Sequence, residues 1–187
     1  IALQTNFRSD TKVINWVNKV FVDSEERLWV LGNAGFSLYL PEIDAFENFI
    51  NAEKYQDVLG NNYKAVVEDS NGSIWFGSKD KGAVVLDVQS STFKAIEQLK
   101  NEPILDMIFD RHNNLWVATE NNGLKVRLAG HDNFITFTTK TLKSIPTNKI
   151  QTVFEDRLNN IWIATEDAGV FQFNLDEGVT KSFFYSE

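Results

Sequence analysis

Cysteine is absent from the chain, which excludes disulfides, thiol catalysis and cysteine-based metal sites at the outset. Proline and glycine are sparse, at 3 and 10 residues, so collagen-like and proline-rich linker readings also fall away. Every apolar run is short of the roughly 18 to 20 residues that span a bilayer. Residues 1–10 lack a charged start followed by an apolar stretch, so no signal peptide is read there. Lysine and arginine form no cluster and the net charge is −8, whereas a phosphate backbone demands a basic face that releases counterions. Nucleic acid is therefore an unsuitable partner.

What the chain does have is apolar and aromatic material. Hydrophobic residues make up 43% of its 187 positions, enough for a full core and too many for a disordered chain. Fifteen Phe, five Trp and four Tyr favour strands and lean the reading toward an all-β architecture.

Those aromatics recur in register. Trp29, Trp75, Trp116 and Trp162 are separated by 46, 41 and 46 residues. An aspartate precedes each by six positions (Asp23, Asp69, Asp110, Asp156), and Leu28, Ile74, Leu115 or Ile161 stands immediately before it. A glycine follows each, Gly35 at six positions and Gly82, Gly123 and Gly169 at seven. Such internal repetition governs the whole fold. Each copy reads as four short strands, for example residues 149–155, 161–165, 170–174 and 181–185 in the last, where Ile150, Thr152 and Phe154 alternate with their neighbours. The second copy repeats this over 63–68, 73–77, 83–87 and 92–96.

The turn after the aspartate calls for a residue that tolerates positive φ, and Gly72, Asn113 and Asn159 supply it. Glu26 departs from that pattern, which implies either strain or a different turn. A four-stranded unit of about 40 to 45 residues matches a β-propeller blade, which buries its faces only by stacking on neighbours. The repeated tryptophans are then packing residues. The blades are expected at 15–50, 61–97, 102–138 and 148–185. Residues 3–7, within 1–10, read as the last strand of a preceding blade. The fourth unit is already complete, so the expectation is a slice of a seven- or eight-bladed ring, or an arc that closes on another copy. An open arc exposes two inter-blade faces and favours self-association.

The stretch Val153-Phe154-Glu155-Asp156-Arg157-Leu158-Asn159-Asn160-Ile161-Trp162-Ile163-Ala164-Thr165, continued by Ala168-Gly169-Val170, resembles the two-component regulator propeller repeat. Val66-Val67-Glu68-Asp69-Ser70-Asn71-Gly72-Ser73-Ile74-Trp75-Phe76-Gly77-Ser78 resembles it equally, and Asn148-Lys149-Ile150 is similar to its lead-in. The first copy departs most, with Val22 in place of Glu, Leu31 where Gly or Ala is usual, and a second turn one residue shorter; the third has Phe109 before Asp110. The resemblance implies a sensor in the periplasmic half of a bacterial membrane receptor. An immunoglobulin-like connector, a transmembrane helix and a histidine kinase or diguanylate cyclase would follow outside this sequence. Partners implied are a small-molecule ligand, a glycan among the options, or another propeller or connector domain. The membrane enters only through absent flanking segments.

No residue is assigned a catalytic, cofactor or metal role, and the ligand-binding residues are left unassigned. His112 and His131 read as solvated loop residues. Streptogramin lyases, seven-bladed propellers with a similar Gly-x-(Leu/Ile)-Trp repeat, need histidine and acids around magnesium, and this chain has no histidine repeated at equivalent positions. The pairs Glu68-Asp69 and Glu155-Asp156 suggest acid/base or metal chemistry, but their recurrence marks them as turn elements. Asp80, Glu120, Asn121, Asn122, Glu166 and Asp167 fall in loops between second and third strands, which either bind a polar ligand or keep the surface soluble. Trp16, outside the repeat position, is either a ligand-stacking or a packing residue. The sensor, lyase-type and purely structural assembly readings all stand at this point.

Overall fold

The computed structural model describes residues 9–10, 16–49, 55, 57–87, 90 and 92–184. It is all-β, four antiparallel sheets that make up a partial propeller. Blade one comprises β1 (Ser9–Asp10), β2 (Val17–Val22), β3 (Leu28–Gly32), β4 (Gly35–Leu40) and β5 (Ala45–Asn48), and blade two β6 (Tyr63–Glu68), β7 (Ile74–Ser78), β8 (Gly82–Asp87) and β9 (Thr92–Ala95). Blade three runs β10 (Ile104–Phe109), β11 (Leu115–Thr119), β12 (Leu124–Arg127) and β13 (Phe134–Phe137); blade four β14 (Ile150–Glu155), β15 (Ile161–Thr165), β16 (Val170–Asn174) and β17 (Gly178–Phe183). The four repeat strands of each sheet pair in chain order, as hairpin-connected meanders must, and β1 joins the first sheet beside β5.

The expected strand at residues 3–7 lies outside the described residues. Within the same segment, Ser9–Asp10 pair with Glu47 and Phe46, which makes the first sheet five-stranded. In the last copy the fourth strand begins at Gly178, three residues before the expected start, because Asn174 Oδ1 accepts the N–H groups of Asp176 and Glu177 and closes a tight turn.

Each blade's first strand carries a β-bulge at the same place, with the register slipping between Val17 and Lys19, Tyr63 and Ala65, Ile104 and Asp106, and Ile150 and Thr152. The chain forms two compact units, Ile1–Glu102 and Pro103–Glu187, each of two blades. Within the first, Trp29, Leu31 and Phe36 of blade one bury against Tyr63, Val66 and Phe76 of blade two, with Phe36 and Phe76 stacked at 4.0 Å. Within the second, Trp116, Leu124 and Val126 bury against Val153, Ile163 and Phe173. Trp29, Trp75 and Trp116 are buried and Trp162 half-buried, as packing residues should be.

Candidate functional site

The repeat aspartate does more than shape its turn. In all four blades its Oδ1 accepts the N–H groups two and four residues ahead, while Oδ2 accepts the indole N–H of the tryptophan six residues on. The indole distances are 2.8, 3.0, 2.8 and 2.8 Å for Trp29, Trp75, Trp116 and Trp162. The six-residue spacing thus lets one carboxylate satisfy a packed indole that would otherwise bury an unpaired donor. The Trp162 indole and the Asn160 amide together hold Asp156 well below the usual carboxylate range, outweighing its burial. For Asp23, burial pushes upward, but the hydrogen bonds from Trp29 and Arg27 outweigh it and leave it below its ordinary value.

The paired glutamates also have an assignment. Glu68 accepts the backbone N–H of Ser24 at 2.7 Å and its hydroxyl at 2.5 Å. Glu155 accepts the backbone N–H of Arg111 at 2.9 Å and its Nε at 3.0 Å, and Arg111 Nη2 donates to the Asp156 carbonyl. Each carboxylate therefore fastens its blade to the turn of the blade before it. This role was missed from sequence because the partners lie 44 residues apart.

A cavity of about 320 Å³ opens beside this fastening in the second unit. His112, Glu155, Asn159 and Asp176 edge it with polar groups, and Ile161 and Phe173 line its apolar part. With Glu155 committed to Arg111, the polar groups left to meet a solute are His112, Asn159 and Asp176. Carboxylate, amide and imidazole beside an apolar wall suit a neutral or cationic polyol better than an anion. His112 belongs to this site, with its backbone N–H bonded to Asp110; His131 is exposed and lines no part of it.

The loop acids take other positions. Asp80 accepts the backbone N–H of Asn61 with both oxygens at 2.9 Å. Glu166 and Asp167 flank the Lys149 ammonium at 3.7 and 3.3 Å, which raises Lys149; the Thr147 hydroxyl and then Lys149 lower Asp167. Asn121 and Asn122 are exposed and Glu120 half-buried. Among the described residues, no three His, Asp or Glu side chains are grouped to hold a metal ion. Trp16 is 80% exposed at φ 59°. Sequence reasoning looked to the loops after the second strands, whereas the cavity forms from the turns before them and after the third strands. The Asn174 turn was a readable signal; its meeting with Asp110 and His112 was not.

The model of the two component regulator propeller matches residues 57–80, 98–121 and 144–167. The matches fall in blades two to four; blade one, which departs most, lies outside them. A histidine kinase of Formosa agariphila is 34% identical over 90 residues, covering 42% of this chain and 6% of that protein. The extracellular domain of a protein classed as a hybrid two component system of B. thetaiotaomicron superposes with a TM-score of 0.76 at 21% identity, over all of this chain and 26% of that one. Virginiamycin B lyase from Staphylococcus aureus gives 0.61 at 12% identity, over 88% and 54% of the respective chains. At such identities the structural likenesses establish the fold alone.

Proposed function

We propose that this chain is part of the extracytoplasmic, ligand-sensing propeller of a bacterial receptor whose output is a kinase or a diguanylate cyclase, and that the segment itself catalyses nothing. The observation that carries the reading is the family repeat; the histidine-kinase relative and the cavity between blades three and four support it. The ligand class favoured by the cavity is a neutral or cationic polyol such as a glycan, held by His112, Asn159 and Asp176.

Calorimetry of the receptor's extracytoplasmic region against neutral and acidic oligosaccharides tests this. Binding is expected, with His112→Ala and Asp176→Ala each weakening it about tenfold through lost hydrogen bonds. Absence of binding together with unchanged receptor output in these variants would sink the sensing role and leave a purely structural assembly module. The lyase-type alternative predicts magnesium-dependent turnover that disappears on changing His112 or His131 to Ala.

A further inference from the structure

The two units fasten their blades alike, but they differ in the side chains beside the fastening. In the first unit Arg27 stands four residues after the repeat aspartate. Its Nε donates to Asp23 at 2.6 Å and its Nη1 reaches Glu25 at 3.2 Å, so one guanidinium spans both carboxylates. Counted from the aspartate, Glu25 corresponds to His112 and Arg27 to Asn114. Asn114 is short and neutral. Its amide N–H donates to Asp110 at 2.8 Å and its side-chain carbonyl accepts the Ala129 N–H, so both ends of the amide are committed. The cavity of the second unit, lined by Asp110, His112 and Asn114, thus corresponds to the place where the first unit carries a cation of its own.

The charges around that cavity have the sign a cation needs. Its charged lining residues are Asp110, Glu155 and Asp176, with no lysine or arginine among them. Asp110 is spent on the Trp116 indole, the Asn114 amide and two backbone N–H groups, and Glu155 on Arg111. Asp176 is exposed, and its carboxylate has no hydrogen bond or ion pair among the described residues. One full negative charge is left to face a solute, and Ile161 and Phe173 supply the apolar wall beside it.

We propose that the solute is an amino sugar, its protonated amine set against Asp176 and its ring carbons against Ile161 and Phe173, with His112 and Asn159 left for its hydroxyls. This ligand rests on the sensing reading above and narrows polyols in general to those that carry an amine. A protonated amine brings a positive charge and three N–H donors to the carboxylate, whereas a hydroxyl or an N-acetyl group at the same place brings one neutral donor. The internal precedent is Arg27, the chain's own charged nitrogen group held between the matching residues of the first unit.

Calorimetry of the chain against matched oligosaccharides of glucosamine, N-acetylglucosamine and glucose tests this, with spermidine as a cation that has no sugar ring. The glucosamine oligomer, its amines protonated, should bind at least about tenfold tighter than either neutral oligomer, the worth of one charge-assisted hydrogen bond. Asp176→Asn should remove that preference, and added salt should weaken the glucosamine oligomer alone. Asn114→Arg gives the second unit the cation that Arg27 gives the first, and should weaken the glucosamine oligomer about tenfold. Should Asn114→Arg fail to fold, Asp176→Asn decides, since Asp176 is exposed. Neutral oligomers that bind as tightly, a preference that survives Asp176→Asn, undiminished binding in a folded Asn114→Arg chain, or spermidine binding as tightly as the glucosamine oligomer each overturns the proposal and leaves the sensing role standing. Binding of none of the four also overturns it; the sensing role falls with it only if receptor output is unchanged in His112→Ala.

Discussion

Glu26 sits at φ 62°, the left-handed conformation that Gly72, Asn113 and Asn159 adopt at the matching position of the other blades. The sequence left open whether this turn is strained or differently shaped. It has the same shape: Glu26 N–H donates to the Asp23 carbonyl as Gly72 N–H does to Asp69, so Glu26 holds a long side chain in a conformation that Gly72 adopts without a β-carbon and that the short polar Asn113 and Asn159 tolerate. Glu26→Asn should stabilise the chain by about 0.5–1 kcal/mol, measured as a rise in the urea midpoint at constant m-value. Asp110 carries the opposite expectation. Its carboxylate serves the Trp116 indole, two backbone N–H groups and the Asn114 amide, most of them buried. Asp110→Ala orphans those donors and should cost about 3 kcal/mol, whereas Trp116→Phe, which removes a donor along with ring volume, should leave the turn itself formed.

At the scale of the element, the glycines after Trp116 and Trp162 mark where the second hairpin crosses the end of the fourth strand. A β-carbon on Gly169, at φ 73°, would lie 2.2 Å from the Phe183 carbonyl oxygen, and one on Gly123 would meet the Phe137 carbonyl equally closely. Gly123→Ala should therefore destabilise by about 2 kcal/mol or more, combining backbone strain with a backbone clash. In blade one the hairpin is one residue shorter, and Gly32 pairs directly with Gly35. The shorter spacing was visible in the sequence; the bulge in every first strand was not, because one unpaired residue leaves no mark on a six-residue apolar pattern. The Glu155–Arg111 fastening lies between elements. Glu155→Gln should cost about 1 kcal/mol, since the pair is partly solvated, and hydrogen exchange should quicken first in β10, β11 and β14.

For the molecule as a whole, the blades were legible because each repeats its marks locally: Asp, six residues, Trp, then Gly. The cavity was not, because Asp110 and His112 meet Asn159 and Asp176 only after two blades have stacked, and no spacing within one repeat records that meeting. The same aspartates set how the fold responds to acid. Asp23 and Asp156 both titrate below their ordinary value, near 4, when folded, so the unfolded chain takes up protons first as the pH falls. The stability they contribute is fully present above the unfolded value and is lost as the pH drops through it toward the folded values. Urea unfolding of the wild-type chain from pH 7 to pH 2.5 should show a steep loss beginning near pH 4. The Asp23→Asn, Asp156→Asn double variant should be less stable at pH 7 yet lose less on acidification, so that the two curves converge at low pH. Parallel curves would mean that these carboxylates bind protons alike folded and unfolded, and that the indole hydrogen bonds do not depend on their charge.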